Sequence, residues 1–302
     1  MDSLTLKFYD AAYNIWNTLI EIAMTLFTTS PTSANGNVYT IAKTTFDAIA
    51  DISLPIAIVF FILAIIKDVL ATPPEQQARK FIQSSLKFAV LVGVLANLWL
   101  IMGYIMQIAD GITDKIGISG NYQLLMTEEF KNAISEFYSQ EPATQPSGLG
   151  MDYIKTLVQN IKEWVGLFIK GLIFTIAGFM VMIMTIAAGI SIISAAFQRI
   201  IKPLVILPFS TITVALAAGS NEAEQVTRQY IKTFFGLCIS GAFMVIAVKL
   251  GAALIDGGLI AFNTSTMDAE DKMLYLTIQN AITPTVIAGL VKSADSTIAR
   301  FF

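Results

Sequence analysis

Apolar residues in this chain gather into long blocks, and the positions of the charges mark where each block begins and ends. Charge-free runs cover residues 52–66, 88–109, 171–198, 203–221, 233–248 and 273–291. A membrane-crossing helix needs roughly 20 consecutive, mostly apolar residues. Runs 88–109 and 171–198 reach that length alone. Run 52–66 does so if Lys67 extends its ammonium to the surface, and run 233–248 if the helix carries Lys249 and continues to Ile255. The pattern predicts an all-α, polytopic helical membrane protein: about five transmembrane helices, plus a re-entrant or kinked sixth apolar segment at 203–219.

The polar positions between the blocks predict the remaining elements. Lys7, Asp10, Asn14, Asn17 and Glu21 recur at spacings of three and four, while Leu6, Tyr13, Trp16, Ile20, Ala23 and Phe27 fill much of the rest. This is an amphipathic helix, either lying in the membrane interface or packed on the protein's own spans. It lacks the uncharged centre of a cleavable signal. Residues 37–51 read as a helix, polar on one side, that leads into the first span, where Pro55 introduces a kink.

The stretch LATPPEQQARK predicts a tight turn and a helix start, with Thr72 as N-cap, Pro73 first and Glu75 third. The longest polar segment, 110–164, holds eight acids and four bases. Within it, TEEFKNAISEFYS (127–139) predicts a helix capped by Thr127, with Phe130, Ile134 and Phe137 on one face. A Pro/Gly-rich linker follows at 140–150. Ile154, Leu157, Val158, Ile161, Val165 and Phe168 then predict a helix that begins outside the bilayer and runs into the third span. Four regions result: an N-terminal helical region (1–51), the first two spans (52–109), an extramembrane helical loop (110–164) and a C-terminal membrane region (165–302).

Composition sharpens this picture. Only 14% of the 302 residues are charged, against roughly 25% in soluble domains, and the mean hydropathy is +0.68. There is no histidine and one cysteine, Cys238. These counts exclude an intramolecular disulfide, Cys-based metal sites, the common zinc sites and His-dependent nucleophiles. A net charge of −3 argues against a broad nucleic-acid-binding surface.

Cations near span ends mark the cytoplasmic side. If 203–219 turns back, segments 67–87, 199–232 and 292–302 share one side and carry ten Lys/Arg. The opposite side, 1–51, 110–164 and 256–272, then carries seven over nearly twice the length. That arrangement puts the N-terminus outside and the C-terminus in the cytoplasm. Pro203 and Pro208 lack N–H groups and disfavour α geometry in the residue before each, which points to a re-entrant hairpin at 203–218. A kinked sixth span is the alternative.

Candidate chemistry is sparse. No Asp or Glu interrupts the predicted spans, whereas ion-coupled transporters bury carboxylates along their path. Lys249 is the one cation well inside an apolar region, either pore-facing or reaching outward to the surface. Arg199, Lys202, Pro203, Pro208, Arg228 and Lys232 form a candidate cytoplasmic mouth or partner-docking region; ordinary positive-inside anchoring explains the same cations. No phosphate loop, nucleophile elbow or paired catalytic carboxylate is present, so the chain reads as non-enzymatic and without a cofactor.

The order of these features, and QRIIKPLVILPFSTITVALAAG in particular, resembles the TrbL-type polytopic membrane components of conjugative (type IV secretion) machines, especially Gram-positive versions. The positions that carry it are Arg199, Lys202, Pro203, Pro208, Ala215–Ala218, Glu222–Lys232 and Phe234–Leu237. The resemblance covers most of residues 40–260. It implies a non-enzymatic channel or scaffold subunit in the cell membrane, present in several copies. It implies contact with secretion ATPases inside and with pilus or cell-wall components outside, and transit of single-stranded DNA with a bound relaxase. Membrane lipids are the remaining partner. A stand-alone transporter or permease is the competing function.

Overall fold

A computed structural model describes residues 2–32, 37–118, 122–140, 151–219, 221–256 and 267–301. Every regular element among them is helical: α1 (Asp2–Thr28), α2 (Asn37–Leu70), α3 (Pro74–Ala96), α4 (Leu98–Ile118), α5 (Glu128–Tyr138), α6 (Met151–Ile206), a 3-10 turn (Leu207–Phe209), α7 (Ser210–Leu216), α8 (Asn221–Asp256) and α9 (Ala269–Phe301). Four stretches are long and apolar enough to cross a membrane: Asn37–Lys67, Ile154–Leu216, Ala223–Ala253 and Ala269–Ala294. The bent pair α3–α4 makes a fifth if it counts as one span. This is a helical, membrane-embedded protein. Most of the 140–150 linker lies outside the described residues.

Three local expectations are corrected. The predicted second span, 88–109, is not one straight helix. It breaks at Asn97 and bends by 65°. The Asn97 side chain donates to the Gly93 carbonyl (2.9 Å), and its own N–H bonds Val94 O (3.2 Å) instead of continuing the ladder. The helix start after the first span is shifted by one residue: Pro73 takes the N-cap position and Pro74 the first helical position, and no side chain caps the end. Finally, Pro203 does not stop its helix. α6 runs through it to Ile206, and the break falls in the 3-10 turn that contains Pro208.

Side chains take up carbonyls around that break. Ser210 Oγ donates to Leu207 O (2.6 Å), Thr211 Oγ1 to Pro208 O (3.0 Å) and Tyr230 OH to Ile206 O (2.7 Å). Thr227 Oγ1 donates to Thr213 O (2.7 Å), which ties the start of α8 to α7. α7 packs on α2 and α3.

The chain forms two compact units, each built from non-consecutive segments. The first takes 1–23, 121–193 and 247–291. Its core gathers Tyr9, Phe130, Ile134, Phe137, Phe174 and Met273. The predicted α5 is here as expected: Thr127 Oγ1 accepts from Phe130 N (3.3 Å), and Phe130, Ile134 and Phe137 are buried. In the same unit α1 packs on the protein's own helices, with Tyr9, Trp16 and Ile20 at or below 1% exposure. The second unit takes 24–120, 194–246 and 292–302. Its core gathers Phe46, Leu98, Met102, Leu207, Phe234 and Cys238. Large apolar side chains on α2, from Ile52 to Ile66, remain exposed, as lipid contact requires.

Candidate functional site

The most unusual chemistry lies inside the second unit, on residues that flank apolar runs. Arg199, on α6, is 1% exposed, and Asp110, on α4, is 7% exposed. Arg199 Nη2 donates to Asp110 Oδ1 at 2.9 Å. Its Nη1 donates to the carbonyls of Phe27 and of Thr29 (3.2 Å) and lies 3.5 Å from Leu26 O. These carbonyls belong to the end of α1, where backbone acceptors have no helical partner and the helix dipole is negative. Arg199 therefore caps α1 and neutralises Asp110 at once. The second Asp110 oxygen accepts from Ser30 Oγ.

A fourth segment of the unit completes the enclosure. A Cβ built on Gly241 of α8 would fall 2.1 Å from Arg199 Nε and 2.4 Å from Cζ. Only a glycine lets the guanidinium lie against that backbone. Nε itself is buried without a hydrogen-bond partner. Burying two charges costs several kcal/mol per ion before their attraction repays it. A buried ion pair is for that reason a functional candidate. This one joins the end of α1 to α4, α6 and α8, so it acts as a latch among four segments.

The predicted docking residues do not form one exposed surface. Arg199 is sealed inside, which corrects its assignment to an accessible mouth: its charge is spent on Asp110 and on α1. Pro203 and Pro208 are buried as well. Lys202 is half-buried, while Arg228 and Lys232 are exposed on α8, Arg228 paired with Glu224 at 2.5 Å. Lys249 is half-buried near the end of α8. Asp110 was missed because it directly follows a charge-free run and reads as a rim residue. Its i, i+4 neighbour Asp114 strengthens that impression, although Asp114 is exposed and Asp110 is not. Among the described residues, no group of three or more His, Cys, Asp or Glu could hold a metal ion.

Comparison with protein-family models, with curated proteins and with solved structures finds no match to this chain.

Proposed function

We propose that this protein is a non-enzymatic channel or scaffold subunit of a conjugative, type IV secretion machine in the cell membrane. The observation that supports this reading most is the joint at residues 199–232. The stretch that carries the family resemblance forms a packed unit: a helix through Pro203, a 3-10 turn at Pro208, a short small-residue helix on α2 and α3, and a charged helix start tied back by Thr227 and Tyr230. In this reading the basic segments 67–87 and 199–232 face the cytoplasm; residues 27–29 and 110 touch Arg199 and so share that side, although the charge count assigns them to the opposite one. Exposed Arg228 and Lys232 meet the secretion ATPases, and α5 and the start of α6 meet outside components or neighbouring copies. The buried latch holds the joint in register while partners load it.

The test is a deletion strain complemented with tagged protein. The expected result is loss of DNA transfer on deletion, with the tagged protein recovering secretion ATPases after cross-linking. Unimpaired transfer in the deletion strain, with a purified monomer that binds and moves a small solute, would establish the permease reading in its place.

A further inference from the structure

Within the first unit, α1 lies beside the part of the chain best suited to a bilayer. The charge-free run of α6 begins after Lys170 and that of α9 after Lys272. Both starts stand at one level: Lys170 pairs with Glu270 at 2.5 Å, and Lys272 lies 3.7 Å from Glu129 of α5. From this charged rim, α6 and α9 run inward, and α1 follows them step by step. Thr5 bonds Thr175 (2.8 Å), and the Phe8 and Phe179 rings meet at 5.6 Å. Tyr9 bonds Thr277 (3.0 Å), and Tyr13 bonds Asn280. Leu19 closes on Gly189, where an added Cβ would come within 2.5 Å. From Thr5 to Leu19, α1 therefore sits at the depth of the two apolar runs.

The outward faces differ in kind. α6 exposes Ile173, Ile176, Met180 and Ile183, and α9 exposes Leu274, Ile278 and Ile282. Those faces suit lipid. α1 instead exposes Lys7, Asp10, Asn14, Thr18 and Glu21 along one side. Charged and polar side chains at membrane depth face protein or a water-filled cavity, because hydrocarbon offers them no hydrogen bonds.

We infer that the outward face of α1, from Lys7 to Glu21, lines a water-filled cleft. The wall carries one cation and two anions per copy, so it holds water and hydrated ions and has no basic lining to attract a polyanion. The inference deepens the channel reading above and rests on its membrane location alone. Its test reads water access, so a chain that fails the transfer assay can still pass this one, and the reverse.

The test places single cysteines in a Cys238→Ser background: Asn14→Cys and Thr18→Cys on the polar face, Ile183→Cys and Ile282→Cys on the apolar faces. Membranes opened to both sides are exposed to a charged, water-soluble thiosulfonate. Since only the hydrated thiolate reacts, Asn14→Cys and Thr18→Cys are expected to be modified at least roughly tenfold faster than the two apolar-face variants. Full modification in dodecyl sulfate and a wild-type elution volume show that each variant is present and folded. If both α1 cysteines react as slowly as Ile183→Cys, protein or lipid covers the face and the inference falls. It falls equally if Ile183→Cys reacts as fast as Asn14→Cys, because the unit then lies outside lipid.

Discussion

Arg199 Nη2 stands 2.9 Å from Asp110 Oδ1, across 89 positions of sequence, with both side chains almost fully withdrawn from solvent. Removing one partner of such a pair strands the other as an uncompensated charge, at about 3–5 kcal/mol. Arg199→Met is therefore expected to lower stability by that amount in detergent unfolding. Arg199→Met combined with Asp110→Leu should recover most of the loss. A double variant as unstable as the sum of its two singles would show that the two charges do not compensate each other.

Gly241→Ala drives a methyl group into the Arg199 guanidinium, where the built Cβ lies 2.1 Å from Nε. Overpacking of this kind costs about 1–3 kcal/mol. The same substitution in an Arg199→Met background should cost clearly less, since the flexible thioether can move aside. Thermal unfolding of the four combinations checks this, and equal costs in both backgrounds would place the strain elsewhere.

Thr127→Ala removes the side-chain acceptor that caps α5 through Phe130 N. The expected loss is about 1 kcal/mol. It should appear first as faster amide exchange in the first turn of α5. Thr127→Ser, which keeps the hydroxyl, should exchange like the parent.

Asn97→Leu deletes the side-chain bond to Gly93 O and restores an ordinary apolar position between α3 and α4. The 65° bend should then relax toward a straight helix. Spin labels at Leu86 and Ile108, both exposed, should move apart. An unchanged distance would assign the bend to packing around it.

How far the sequence revealed this fold depended on whether the signal was local. α5 was legible because a cap and three buried positions occur within eleven residues. The long spans were legible because charge is excluded from 52–66, 171–198, 233–248 and 273–291, each most or all of a membrane crossing. The break at Asn97 was hidden, since a single asparagine leaves a charge-free run intact. α1 presents the same amphipathic pattern whether it lies on a membrane or on its neighbours; only Thr175, Thr277 and Asn280, each more than 160 positions away, separate the two. The latch was hidden for a related reason. Arg199 and Asp110 each border an apolar run, where charges ordinarily anchor a helix end, and neither position announces its partner.

The contact between Gly241 and Arg199 also bears on how this protein can change over generations. A bulky residue at 241 is harmful while the guanidinium is in place, and losing the guanidinium is harmful while Asp110 keeps its charge. The three positions are therefore expected to drift together or stay put, because neutralising Asp110 alone would in turn strand the buried Arg199 charge. In any set of descendants of this chain, an alanine at 241 should be found only where 199 is no longer arginine, and a neutral residue at 199 only together with a neutral residue at 110.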